Sequence, residues 1–161
     1  MEFGIRQSEA IACLREKGFR QPTLVLLFAA IDQLAWVAGD KETVGNEGFK
    51  AWVQRYMVEK NPELLSGATA ADLWGARCGV LHTGAAESND FRSGKARRIF
   101  YASNLGQVGP SDPTILILSL EWLGSAFAAA LVWFLEDLQA NPDKDRRARE
   151  KLSRMLVDQQ P

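Results

Sequence analysis

Between Thr114 and Leu135 the chain reads TILILSLEWLGSAFAAALVWFL, and Glu121 is its only charged residue. A stretch close to the roughly 20 residues that cross a bilayer must either span a membrane or lie inside a protein core. Glu121 falls well within it, and no cluster of Lys or Arg flanks its near end. A lone carboxylate in hydrocarbon is costly, so the segment reads as a buried helix that begins near Ser119. Leu120, Leu123, Phe127, Leu131, Phe134 and Leu138 form one stripe, while Gly124, Ser125, Ala128 and Ala129 form small patches that let another helix approach. A membrane-associated helical protein is the alternative to a soluble chain with no membrane partner.

A helix of this kind needs apolar partners, and TLVLLFAAIDQLAWVAG after Pro22 supplies one. Leu24, Leu27, Phe28, Ile31, Leu34 and Ala35 recur at helical spacing, and Gly39 is the stop signal. Because this helix is apolar nearly all round, Asp32 is a carboxylate in a buried setting and must find a partner. Ser8 reads as the N-cap of a preceding helix that closes at Gly18, with Ile11 and Leu14 as its apolar edge.

The segment NEGFKAWVQRYMVEKNP places Phe49, Trp52, Val53, Tyr56 and Met57 on one face and ends at Pro62. Thr69 and Asp72 form a capping box that opens a helix through Leu73, Trp74, Ala76, Arg77, Val80 and Leu81 towards Gly84. Residues 83–98, TGAAESNDFRSGKARR, read as an exposed, mobile basic loop. IFYAS and TILIL, on either side of the turn-like LGQVGPSDP, predict a short β-hairpin within residues 98–118. Asn141 and Pro142 precede a short basic helix over 143–157. The expected fold class is all-α, a helical bundle of about five to six helices with that hairpin as its only sheet. Trp36, Trp52, Trp74, Trp122 and Trp133 are expected to pack rather than to stack on bases.

With 161 residues and 47% hydrophobic content, the chain is sized for one domain, residues 1–161, with one core. Its 19 basic and 20 acidic residues leave a net charge of −1, so no global field draws it to nucleic acid or anionic lipid. RNA contact would need a local patch, and Arg92, Lys95, Arg97 and Arg98 outnumber Glu87 and Asp90 in the basic loop. A solvated surface is the plainer reading of the same residues. Cys13 and Cys78 lie far apart, without a CxxC pair and with a single histidine, which argues against a zinc site or a disulfide framework. The expectation is two buried thiols in a reducing cytoplasm, with no metal and no cofactor. The amino terminus MEFGIRQSEA has neither a basic nor an apolar leader region, so no secretory signal is expected.

Four residues separate Arg77 from His82 in ADLWGARCGVLHTG, at the end of an apolar helix that opens onto the basic loop. This resembles the Arg-x4-6-His motif of HEPN domains, the higher eukaryotes and prokaryotes nucleotide-binding family of helical bundles. The order of elements over residues 20–140 is similar too: an apolar helix with an acidic residue, an amphipathic helix, the Arg/His helix and a long closing helix. Cys78 occupies the position after the arginine, where active family members usually carry Asn or Asp.

The resemblance implies a metal-independent endoribonuclease or RNA-binding factor of toxin-antitoxin or defence type. In such chemistry the ribose 2′-hydroxyl attacks the adjacent phosphate and leaves a cyclic phosphate end. Arg77 and His82 would be catalytic, with Asp32, Asp72 and Cys78 as supporting candidates. Imidazole exchanges protons near neutral pH, and a guanidinium can fork two donors onto a phosphate. One histidine per chain cannot easily be acid and base in one step, so the resemblance implies a homodimer with paired sites, and an antitoxin or other protein as a further partner.

A structural reading stays open beside it. There Arg77 pairs with Asp32 or Asp72, His82 donates to a backbone carbonyl, and the protein is a catalytically inactive module that binds a nucleotide or a protein. Geometry bears on both readings, because five residues on an α-helix turn by about 500° and leave Arg77 and His82 about 140° apart. They meet only if the helix ends near His82 or if the arginine wraps around it.

Overall fold

The computed structural model describes residues 2–82, 84, 89–102 and 112–155. Among them the chain is mainly helical, as the sequence predicts, with one small sheet. The order is α1 (Glu2–Glu16), α2 (Arg20–Ala38), α3 (Asn46–Val53), α4 (Ala70–His82), α5 (Asn89–Arg92), β1 (Arg98–Ala102), β2 (Ile115–Ser119), α6 (Leu120–Ala140) and α7 (Pro142–Leu152). A π-helical turn, Gln54–Val58, continues α3, and a 3-10 turn, Pro62–Leu65, follows it.

Helix α2 is the centre, packing against α1, α3, α4, α6 and α7. Leu27, Phe28, Ala30, Ile31 and Leu34 are fully buried, and they meet a core that includes Phe49, Leu73, Leu123, Phe127 and Phe134. By length and composition α2 could cross a membrane, yet half of its most apolar window is buried against the rest of the chain. The segment from Thr114 to Leu135 is not a single helix. Its first part is β2, and the chain turns at Ser119, whose side chain accepts a hydrogen bond from the Trp122 amide and caps α6.

The sheet departs from the expected hairpin. β1 and β2 are parallel, in register from Arg98 opposite Ile115 to Ala102 opposite Ser119. A tight turn can only reverse a chain, and the link of residues 103–114 is long enough to bring it round to the same direction. Residues 103–111, which hold most of the expected turn, lie outside the described residues. Ile99, Leu116 and Leu118 are buried, so the pair closes one side of the core rather than standing free.

Helix α1 starts at Glu2, six residues before the expected Ser8 cap, because tertiary packing extends it: Gly4 is buried, and a Cβ there would come within 3.0 Å of Leu131 Cδ2 on α6. Gly18 takes the left-handed conformation expected of it, with φ 76°. Cys13 is exposed on α1 and Cys78 is half-buried, so the expectation of two buried thiols fails. Pro22 lies inside the first turn of α2 rather than ahead of it, where its missing N–H is one the helix leaves unpaired anyway. Pro62 starts the 3-10 turn as well as ending the helix before it.

Residues 89–98 of the expected basic loop hold α5, after which the Lys95 and Ala96 amides both donate to the Asp90 carbonyl. Residues 83 and 85–88 of the same segment lie outside the described residues. The last helix begins at Pro142 and closes at Leu152, earlier than Val157. Two of the five tryptophans, Trp122 and Trp133, are exposed on α6 instead of packed.

Candidate functional site

Helix α4 carries the site, and its start is fixed as the sequence predicts. The Thr69 amide donates to Asp72 Oδ2 at 2.9 Å and the Asp72 amide donates to Thr69 Oγ1 at 3.2 Å. From this cap the helix runs unbroken to His82, so Arg77 and His82 share its last turn and a half.

The arginine reaches two groups at once. Its Nε donates to Asp32 Oδ2 at 2.8 Å, Nη2 donates to the same oxygen, and Nη1 lies 2.9 Å from His82 Nε2. The angular separation between positions 77 and 82 is overcome because the helix ends at His82 and the long arginine side chain bends along it. Trp74, one turn earlier, lies under the guanidinium with 5.1 Å from Cζ to its ring centroid. The spacing of three residues on one helix was the signal that could have singled Trp74 out beforehand.

These groups differ in their access to water. Arg77 and Asp32 side chains are 18% and 20% exposed, while His82 is open to solvent. A guanidinium can only donate, so in this contact the imidazole nitrogen facing it is the acceptor. Burial works against the charge on Arg77, but the bonds and charge of Asp32 hold its pKa above the ordinary value. Burial raises the Cys78 thiol, and the neighbouring Arg77 only partly offsets this, so Cys78 adds a neutral thiol beside the guanidinium. Asp32 Oδ1 is shielded from solvent and has no hydrogen-bond partner among the described residues.

Asp72 belongs to a different structure. It is buried, and Arg97 grips it through the backbone amide at 2.7 Å to Oδ1 and through Nη2 at 2.7 Å to Oδ2, while Nη2 also donates to the Gly67 carbonyl. Burial pushes the Asp72 carboxyl up, and the Arg97 and Thr69 hydrogen bonds more than reverse this, leaving it below the usual range. Arg97 is therefore a structural clamp rather than a member of an open basic patch. Arg98 is half-buried, its guanidinium 4.6 Å from the Phe91 ring centroid. Arg92 and Lys95 are exposed, and with Phe91, Arg97 and Thr114 they border a cavity of about 400 Å³ whose floor includes Asp72.

Of the residues singled out from the sequence, Asp32, Arg77, Cys78 and His82 come together, whereas Asp72, Arg92, Lys95, Arg97 and Arg98 gather around α5 and the start of the sheet. No protein-family model, curated protein or solved structure matches this chain.

Proposed function

We propose that this protein is an RNA-binding factor with endoribonuclease chemistry of the HEPN kind, centred on Arg77 and His82. The observation that carries the reading is the 2.9 Å contact that sets a guanidinium against a solvent-open imidazole at a helix end. In the reaction Arg77 Nη1 turns from the ring to the phosphate, and the freed His82 Nε2 takes the proton of a ribose 2′-hydroxyl. The 2′-oxygen bonds to the adjacent phosphorus, and the 5′-oxygen of the next nucleotide leaves. Arg77 stabilises the charge that builds on the non-bridging oxygens. Asp32 aims the arginine and keeps it in place. The leaving oxygen needs a proton, and His82 of a second copy supplies it in a two-fold homodimer.

The test is incubation of the purified chain with mixed RNA in the presence of a chelator, followed by analysis of the new ends. Cyclic 2′,3′-phosphate ends are expected, and His82→Ala should slow cleavage by about 100-fold or more. Equal activity in wild type and variant removes His82 from catalysis.

A second reading, an inactive module that binds a nucleotide or a protein, has its own support. Two donors of Arg77 converge on one oxygen of Asp32, as expected of a tether between α2 and α4. If Arg77→Lys lowers thermal stability and the wild type cleaves no RNA, this reading replaces the first.

A further inference from the structure

A cavity of about 360 Å³ opens between the start of α2, the end of α4 and strand β1. Its walls include Leu24, Val80, Phe100 and Tyr101, with Arg20, Gln21 and Gly84 at the polar side. The volume lies within the range typical of small-ligand sites, and the composition matches them as well: apolar and aromatic walls with few polar groups. Phe100 is 45% exposed, as the alternation of a strand whose neighbour Ile99 is buried predicts, and it presents a large aromatic face to solvent. The Tyr101 hydroxyl is closed off from solvent and has no hydrogen-bond partner among the described residues. Burial raises its pKa, so it stays a neutral phenol that can donate or accept.

Asp32, Arg77 and His82 are not among the described residues that line the cavity, but the cavity and the candidate site are built on the same two elements, α2 and the α4 segment. Asp32 meets Arg77 between them, and Leu24 and Gln21 lie earlier on α2 while Val80 and Gly84 lie later along the α4 segment. From Asp32 to Leu24 the rise is about 12 Å. Val80 and Gly84 bracket His82 in the sequence. Gly84 has φ 64°, a conformation that favours glycine, and a Cβ there would come within 3.3 Å of Gln21 Nε2. The amide of Gln21 thus closes over the chain just beyond the imidazole.

We infer that this cavity takes one unstacked nucleobase of the RNA, so that it selects which nucleotide is presented beside His82. The inference rests on the RNA reading above. An aromatic wall offers a face for stacking, which is how proteins hold bases drawn out of a single strand. The Gln21 amide offers a donor and an acceptor to a base edge, and Leu24 and Val80 suit the apolar face of a base better than a hydrated phosphate. Arg20, which also lines the cavity, places a positive charge beside the RNA strand.

The experiment measures fluorescence anisotropy with four 2′-O-methyl homopolymer decamers, of A, C, G and U, which cannot be cleaved for lack of a 2′-hydroxyl. Wild type should bind the best of them about tenfold more tightly than the worst. Phe100→Ala and Gln21→Ala, both at exposed positions, should narrow that spread to within about threefold. His82→Ala should keep the spread while losing cleavage of ordinary RNA. Circular dichroism melts confirm that each variant is folded. If the spread survives in both cavity variants, or if wild type cleaves RNA yet binds all four decamers alike, the base pocket is overturned and the ribonuclease reading stands. If wild type neither binds nor cleaves RNA, both fall together.

Discussion

Arg77 sits between a carboxylate that fixes its charge and an imidazole open to solvent. Removing it by Arg77→Ala leaves Asp32 four-fifths buried with neither oxygen partnered by the arginine. A buried group that loses its charged partner costs about 2–3 kcal/mol, and the melting temperature should fall by roughly 5–10 °C in a calorimetric scan. An unchanged melt would show that the pair does not hold α2 to α4. Asp72 supports a prediction of a different kind. Its folded carboxyl titrates below the usual range, so the unfolded chain binds a proton more readily as pH falls. The stability it contributes is complete above the unfolded value, near about 3.9, and is lost as pH drops through the lower folded value. Asp137, gripped by Tyr56, Lys144 and Arg55 against the cost of burial, acts in the same direction. Thermal midpoints measured at neutral pH and near pH 3 should therefore differ, and Asp72→Asn should narrow the difference.

At the scale of elements, the ends of helices hold the arrangement as much as their apolar faces do. Lys151 of α7 is buried, and its ammonium donates to the carbonyls of Trp36, Gly39 and Lys41 at 2.7, 2.6 and 2.9 Å. It closes the carboxyl end of α2, where a positive charge is favoured by the helix dipole. Lys151→Met keeps the chain length but deletes these bonds, and should lower stability by about 2 kcal/mol, read from a urea midpoint at constant slope. Ser119→Ala removes the cap of α6 and should cost about 1 kcal/mol by the same measurement. The small residues expected to form an interface on α6 are partly in use already. A Cβ on Gly124 would meet Arg15 Nη1 of α1 at 3.4 Å, whereas Ser125 with Trp122, Val132 and Trp133 remains on the exposed side.

For the whole molecule, the proposed chemistry needs two imidazoles where one chain has a single histidine. Sedimentation at micromolar concentration should then report about twice the 17.8 kDa of the chain, and a monomer that cleaves RNA would overturn the paired site. The helical class, the boundaries of α4 and α6, and the demand of Asp32 for a partner were legible in the sequence, because caps and apolar periodicity act over a few residues. Which cation Asp32 takes was not: spacing in the sequence does not tell Arg77 from Arg97 as its partner, and only the packing of α4 across α2 gives Arg77 to Asp32 and leaves Arg97 to Asp72. The direction of the strand pair was hidden for the same reason, since parallel pairing depends on where a long connection carries the chain. The sequence by itself determined the helices, their caps and the chemical groups present, all local consequences of side-chain type and spacing. The tertiary structure alone decided which of those groups meet, because contact between distant positions is settled by how apolar faces bury one another.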